Sequence, residues 1–378
     1  MDDNIPYLLL TPGPLTTTRS VKETMLRDYG TWDDDYNSLT QEIRARLAPL
    51  AGVSEPLYTS VLMQGSGTFL VEGTLGSVIP PDGKALIVDN GAYGARMATI
   101  AERLGIQHAT MQLSETEAAD PDQIADALAA DSKITHVAVV HCETTTGLLN
   151  PATEIGKVVS DAGRIYFLDA LSSFGGIEMK MDEIGAHYLV SSAHQCIQGT
   201  PGFAFLLAHR PTFERAEGYA RSLSLDMFAQ WKEMEAKGGK WRYTSPTHVV
   251  RAFLQALREL DVEGGVAARA ARYAENHRTL IAGMRELGFR ELVAEALQST
   301  IITAFHFPAD DHFTFQPFYQ ALKRRRFVIY PGKAGTAATF RIGTIGHVFP
   351  EDIRELLAAI GEALGEIGVK TPVAAPRE

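Results

Sequence analysis

Cysteine is nearly missing from this chain. Its two residues in 378, Cys142 and Cys196, make neither a CxxC pair nor a disulfide framework, so the expected compartment is a reducing cytoplasm. Long apolar runs are missing as well. None approaches the ~18 residues that cross a bilayer, and the start Met1-Asp2-Asp3-Asn4-Ile5-Pro6 is acidic and proline-broken where a signal peptide is basic. A soluble, unprocessed protein is expected. Positive charge is in deficit, with a net charge of -11, and this argues against nucleic-acid or anionic-membrane partners, which need a basic face. The one basic run, Lys323-Arg324-Arg325-Arg326, reads as a solvated helix end. The 11 histidines form no ligand-spaced cluster, so no metal is expected. Neither G-x-G-x-x-G nor GK[ST] occurs, which disfavours a dinucleotide or nucleoside triphosphate.

What is present is alternation. Strand patterns at Tyr58 to Met63, Ala85 to Asp89, Ile106 to Met111, Thr135 to His141, from Phe167 to the carboxylate Asp169, from Tyr188 to the turn that begins at Ser191, and Phe203 to Ala208 are mostly separated by helical spacing. Alternation of this kind builds βαβ units and a mostly parallel sheet, an α/β fold. Glu263-Gly264-Gly265, between two long helical patterns, is the expected hinge to a smaller C-terminal α+β unit. The expected division is an N-terminal arm 1–17, a large domain 18–262 and a small domain 263–378. Thr371 to Glu378 reads as a frayed tail, and Asp33-Asp34-Asp35 as a helix cap with a solvated loop.

Candidate functional residues cluster where strands stop. Gln64-Gly65-Ser66-Gly67-Thr68 follows a strand and opens a helix; free backbone N–H groups and the helix dipole suit such a turn to an anion, with Ser66 and Thr68 adding hydroxyls, though a plain capped helix reads the same way. Tyr93, just past a strand in Asn90-Gly91-Ala92-Tyr93, offers a ring face or simply fills a turn. Cys142-Glu143-Thr144-Thr145-Thr146 sets hydroxyls at another strand end. Asp169 closes one buried strand and Ser191-Ser192-Ala193-His194-Gln195 the next, so both should face one crevice. Arg341, on a short apolar strand between glycine-rich turns, has the chemistry of a carboxylate or phosphonate clamp.

The order of these pieces resembles the class V, fold-type I aminotransferases dependent on pyridoxal 5'-phosphate (PLP). The matching stretches are TPGP at 11–14, GTWDDDYN at 30–37, GSGT at 65–68, NGAYGAR at 90–96, HCETTTG at 141–147, LDALSSFGG at 168–176, CIQG at 196–199, TSPTH at 244–248, YPGK at 330–333 and FRIG at 340–343. The resemblance implies a large domain with a mostly parallel seven-stranded sheet and a smaller α+β domain. It implies that Ser66, Gly67 and Thr68 hold the cofactor phosphate, Tyr93 stacks on the ring, Thr144 bonds near the phenolic oxygen and Asp169 keeps the pyridine nitrogen protonated. Thr244 would reach the phosphate of a neighbouring subunit, making a homodimer part of the site, and Arg341 would bind the acidic end of the substrate. The implied activity is transfer of the amino group of 2-aminoethylphosphonate to pyruvate, giving phosphonoacetaldehyde and L-alanine, with alanine:glyoxylate or serine:pyruvate exchange as the alternative.

One position departs from the resemblance. Where those enzymes have the lysine that bonds the cofactor, this chain has Gln195, preceded by His194. An amide neither forms an imine nor titrates near neutrality. Three readings follow: an aminotransferase inactivated by replacement of that lysine; a lysine-less homologue that binds PLP, its amine form (PMP) or an external aldimine without a covalent bond; or a different reaction with His194 as base.

Overall fold

A computed structural model describes residues 7–332, 335 and 337–376. Residues 1–6 of the expected arm and Lys333 of the YPGK stretch lie outside the described residues. The central sheet has seven strands: β1 (Tyr58–Gln64), β2 (Lys84–Asp89), β3 (Gln107–Gln112), β4 (Ile134–Val140), β5 (Ile165–Asp169), β6 (Tyr188–Ser192) and β7 (Phe203–His209). Their order is β1-β7-β6-β5-β4-β2-β3, and only β7 runs against its neighbours. The expected α/β architecture with a mostly parallel seven-stranded sheet is therefore observed.

Helices cover both faces, which is why β4 to β6 are continuous apolar runs and not alternating ones. The covering helices include α1 (Asp34–Leu50), α2 (Gly67–Val78), α3 (Ala92–Arg103), α4 (Pro121–Ala130), α5 (Ala152–Asp161), α6 (Met227–Ala236) and α7 (Thr247–Glu263). One buried cluster runs from Val21 through the sheet to Leu257. α3 begins on the small residues Ala92 and Gly94, and α5 lies between β4 and β5. α5 buries Ala152, Ile155, Gly156 and Val159, and half of that face is small residues with little hydrophobic signal.

Gly264 ends α7 at φ 109°, a backbone that L side chains rarely adopt, and α8 (Gly265–Glu286) leaves in a new direction. It leads to a three-stranded sheet, order β8-β10-β9, of β8 (Ile302–His306), β9 (Tyr330–Pro331) and β10 (Thr339–Gly343), with α9 (Phe315–Arg324) and α10 (Pro350–Glu366). Phe289, Phe305, Phe313, Phe318 and Phe340 form its aromatic centre. Leu8–Leu9 pairs in parallel with Phe327–Val328, and Leu10 is buried in this second cluster, so the N-terminal arm belongs structurally to the C-terminal unit. Val373 is buried and bonds Leu287, so the tail expected to fray is docked at least to that point. Lys323-Arg324-Arg325 closes α9, and Arg324 and Arg325 pair with Glu362 and Glu366 of α10, consistent with a helix-end reading.

Candidate active site

The carboxyl ends of β1, β2, β5 and β6 converge on a cleft of ≈ 170 Å³. Its wall carries Ser66, Gly67, Thr68, Tyr93, Asp169, His194 and Gln195, together with Pro12 and Gly13 of the arm, Arg96, and the apolar Val71 and Met97. Parallel pairing of β5 with β6 sets Asp169 opposite Val190, so the chain emerging from β6 turns back beside the carboxylate. Residues as far apart in sequence as Pro12 and Gln195 thereby meet.

Asp169 is buried, and Oδ1 accepts the Leu171 N–H at 2.9 Å. Burial raises its pKa to about 7, with that backbone bond and the distant charge of Arg96 pulling the other way. A carboxyl so poorly compensated favours a cation beside it. Ser66 begins α2 with no side-chain cap bond, and the first N–H groups of a helix lack intrahelical partners. At Gly67 a Cβ would stand 2.7 Å from the Leu171 methyls, so a larger residue there would have to displace the Leu171 side chain beside the Asp169 turn.

Arg96 escaped sequence reasoning. It lies one helical turn past Tyr93 on the same face, its guanidinium stacks over the Tyr93 ring at 4.8 Å, and Nη1 donates to Thr68 Oγ1 at 3.0 Å. One cation thus joins the turn after β1 to the helix after β2. Glu143 was missed too. Its carboxylate accepts the N–H of Gly94 at 2.8 Å and of Tyr93 at 3.3 Å, capping α3 from another loop. Gly91 is required for this approach, since a Cβ there would sit 2.5 Å from the carboxylate carbon. Burial raises the Glu143 pKa to about 7, against those two backbone bonds. The i to i+3 spacing of Tyr93 and Arg96 was legible; the Glu143 contact, fifty residues away, was not.

Gln195 is held at both ends. Oε1 accepts from Ser192 Oγ at 2.7 Å and Nε2 donates to the Pro12 carbonyl at 3.1 Å. His194 also lines the cleft, and burial lowers its pKa, keeping the ring neutral. No lysine is among the described residues that line the cleft.

Three expected site residues stand off this wall. Thr144 is buried in the loop after β4, and its carbonyl accepts Arg341 Nη1 at 2.8 Å. Arg341 is itself buried in β10, with Nε on the Pro331 carbonyl at 3.0 Å. Thr244 is exposed on the loop before α7, beside a Ser245 that Tyr36 anchors at 2.5 Å. Among the described residues no group of three or more His, Cys, Asp or Glu is arranged to hold a metal ion, and no helix is long and apolar enough to cross a membrane.

A family model described as Aminotransferase class-V matches residues 22–340. A 2-aminoethylphosphonate--pyruvate transaminase of Syntrophobacter fumaroxidans is 60% identical over 363 residues, covering 96% of this chain and 98% of the relative. One from Vibrio cholerae is 55% identical over 359 residues, 95% and 98% of the two chains. Among solved structures, pyridoxamine-pyruvate aminotransferase from Mesorhizobium loti superposes with TM-score 0.89 at 25% identity, covering 98% of this chain and 95% of that one. The fold is shared equally by ureidoglycine-glyoxylate aminotransferase from Bacillus subtilis, TM-score 0.90 at 22% identity, covering 98% and 96%.

Proposed function

Because the chain belongs to the class-V aminotransferases, enzymes of PLP-dependent transamination, we propose that its cleft is built to move the amino group of 2-aminoethylphosphonate to pyruvate, giving phosphonoacetaldehyde and L-alanine. The observation that carries this reading is the 60% identity to the Syntrophobacter transaminase across 96% of the chain.

The residues that line the cleft fit PLP in all respects but one. A buried carboxyl with one backbone partner suits a ring N–H, and an uncapped helix start beside an arginine suits a phosphate. No described lysine is at hand to bond the aldehyde. When bound, PLP supplies an electron sink for the carbanion at the amine-bearing carbon. Asp169 keeps the ring nitrogen protonated, its own pKa falling as it gains that cation. Ser66, Gly67 and Thr68 hold the phosphate with Arg96, and Tyr93, set by Glu143, covers the ring face. Thr144 bonds near the phenolic oxygen, His194 packs beside the ring, and Arg341 receives the acidic end of the substrate. Thr244 completes the phosphate site of a second subunit in a homodimer, a role its exposure supports. Gln195 stands at the bonding lysine's position and holds turnover down. Two buried, unpaired thiols are consistent with work in the cytoplasm. The chain divides on this reading into an arm 1–17, a large domain 18–262 and a small domain 263–378, the last two parted near the Gly264 turn.

The test is a coupled assay of alanine formation from 2-aminoethylphosphonate and pyruvate by this chain and by Gln195→Lys. The lysine variant is expected to be faster by at least roughly 10²–10⁴, the usual worth of a general acid–base group. Alanine from serine or from no amine offered, with PLP bound, would reject the substrate assignment.

A further inference from the structure

We infer that this chain takes its cofactor as an exchangeable ligand, without a covalent bond, and that Gln195 acts instead as a latch holding the N-terminal arm across the cleft. The inference rests on the reading that the cleft receives PLP. Gln195 cannot replace a lysine amine, because its nitrogen lone pair is delocalised into the carbonyl and its N–H is donated to the Pro12 carbonyl at 3.1 Å. Its oxygen is occupied as well, accepting from Ser192 at 2.7 Å. The side chain bridges two structures: the turn after β6, and an arm segment whose Pro12 and Gly13 form part of the cleft wall.

The arm lies directly on this turn. Gly13 has φ 134°, a backbone that L side chains rarely adopt, and a Cβ there would press on Gln195 Cγ at 3.2 Å and His194 Cδ2 at 3.3 Å, so the close approach suits glycine. Beyond the cleft the arm is fastened to the C-terminal unit: the Leu10 carbonyl accepts the Gly343 N–H, and Leu8–Leu9 pairs with Phe327–Val328. Gln195 therefore ties the end of a central strand to a segment carried by the other unit. A chain with no amine in the cleft has no covalent reason to prefer the aldehyde form of the cofactor over the amine form. Both phosphorylated pyridines enter and leave by simple binding.

The experiment loads the unchanged chain, Gln195→Lys and Gln195→Ala with PLP, reduces each with borohydride, and locates any pyridoxyl adduct by peptide mass mapping. Equilibrium dialysis measures the Kd of PLP and PMP in parallel. The unchanged chain and Gln195→Ala should carry no adduct, lose PLP on dialysis, and bind the two forms within about threefold. Gln195→Lys should carry the adduct at position 195 and prefer PLP by more than about tenfold, some 1.4 kcal/mol. Should that variant fail to fold, the unchanged chain and Gln195→Ala decide the matter alone. An adduct on any lysine of the unchanged chain, Lys333 included, overturns the inference while leaving the cofactor reading intact. Failure of every chain to bind PLP or PMP overturns both. The latch has its own readout: in Gln195→Ala, hydrogen exchange at the Thr11, Gly13 and Leu15 amides should rise about tenfold or more over the unchanged chain, and equal exchange there removes the latch.

Discussion

At Asp169 a folded protein holds a proton that an unfolded chain would release. Its pKa near 7 lies above the ordinary 3.8 because burial penalises the charge more than the Leu171 N–H and Arg96 relieve it. The native apo state therefore binds more protons than the unfolded state between about pH 4 and 7, and the stability this group contributes falls as pH rises through that window. His136 and His141 act oppositely: burial lowers each to about 4, so their contribution is lost as pH falls from 6.5 toward 4. Comparison with Asp169→Asn isolates the carboxyl, since asparagine keeps the acceptor for Leu171. Without cofactor the variant should nearly match the unchanged chain at pH 4 in urea unfolding and exceed it by on the order of 4 kcal/mol at pH 8. It should bind PLP more weakly at both. Equal stability at pH 8 would mean that the carboxyl is not poised to receive a cation. At this scale the sequence was informative wherever a residue's chemistry announced itself at a strand end, as at Ser66, Thr68, Tyr93, Asp169 and Gln195. Arg96 carried no such local signal, because its meaning comes from Thr68, which another helix brings to it.

Helix α3 shows what an element owes to a distant loop. The N–H groups of its second and third residues, Tyr93 and Gly94, point at the Glu143 carboxylate, buried in the turn after β4, and Tyr93 stands on that first helical turn. Negative charge at a helix start is favourable, but here burial nearly cancels ionisation, raising the pKa to about 7. Hydrogen bonding, which a neutral acceptor also supplies, is then the larger part of the contact. Glu143→Ala should cost roughly 1–3 kcal/mol in urea unfolding by orphaning two N–H groups and should loosen PLP binding through Tyr93. Glu143→Gln should recover most of both, and a glutamine variant as impaired as alanine would assign the effect to charge. Element boundaries followed the same logic. α4 and the sheet strands announced themselves by apolar period, whereas α3 starts on small residues, Ala92 and Gly94, that the period cannot register. Gly94 is small for a packing reason, as a Cβ would lie 2.5 Å from the Val88 carbonyl of β2.

Among the described residues, an apolar face lies uncovered beside the phosphate turn. Met63, Phe69, Leu223, Leu225, Trp241 and Tyr243 line a groove of ≈ 650 Å³, with Phe69, Leu223 and Tyr243 about half or more exposed. Exposed aromatic and aliphatic groups clustered this way are the usual mark of a contact surface. Thr244 adjoins Tyr243, so a second copy docked here would account for both the groove and the threonine's distance from its own cleft. Leu223→Asp, burying a charge without a partner in that contact, should shift sedimentation from dimer to monomer and weaken PLP binding with it. A dimer that survives with full affinity would separate this face from the assembly.

Composition and the alternation of apolar runs were enough to determine an α/β chain with a mostly parallel sheet, because period and strand length are local properties that burial on two faces enforces. That Gln195 carries no reactive amine was likewise plain from the residue itself. Only the tertiary structure decided that Pro12 and Gly13 close over the cleft, that Arg96 joins Thr68, that Glu143 caps α3, and that Thr144, Thr244 and Arg341 stand off the cleft wall. Each of these depends on the direction of strands and the handedness of crossovers, which bring together residues that no spacing along the chain connects.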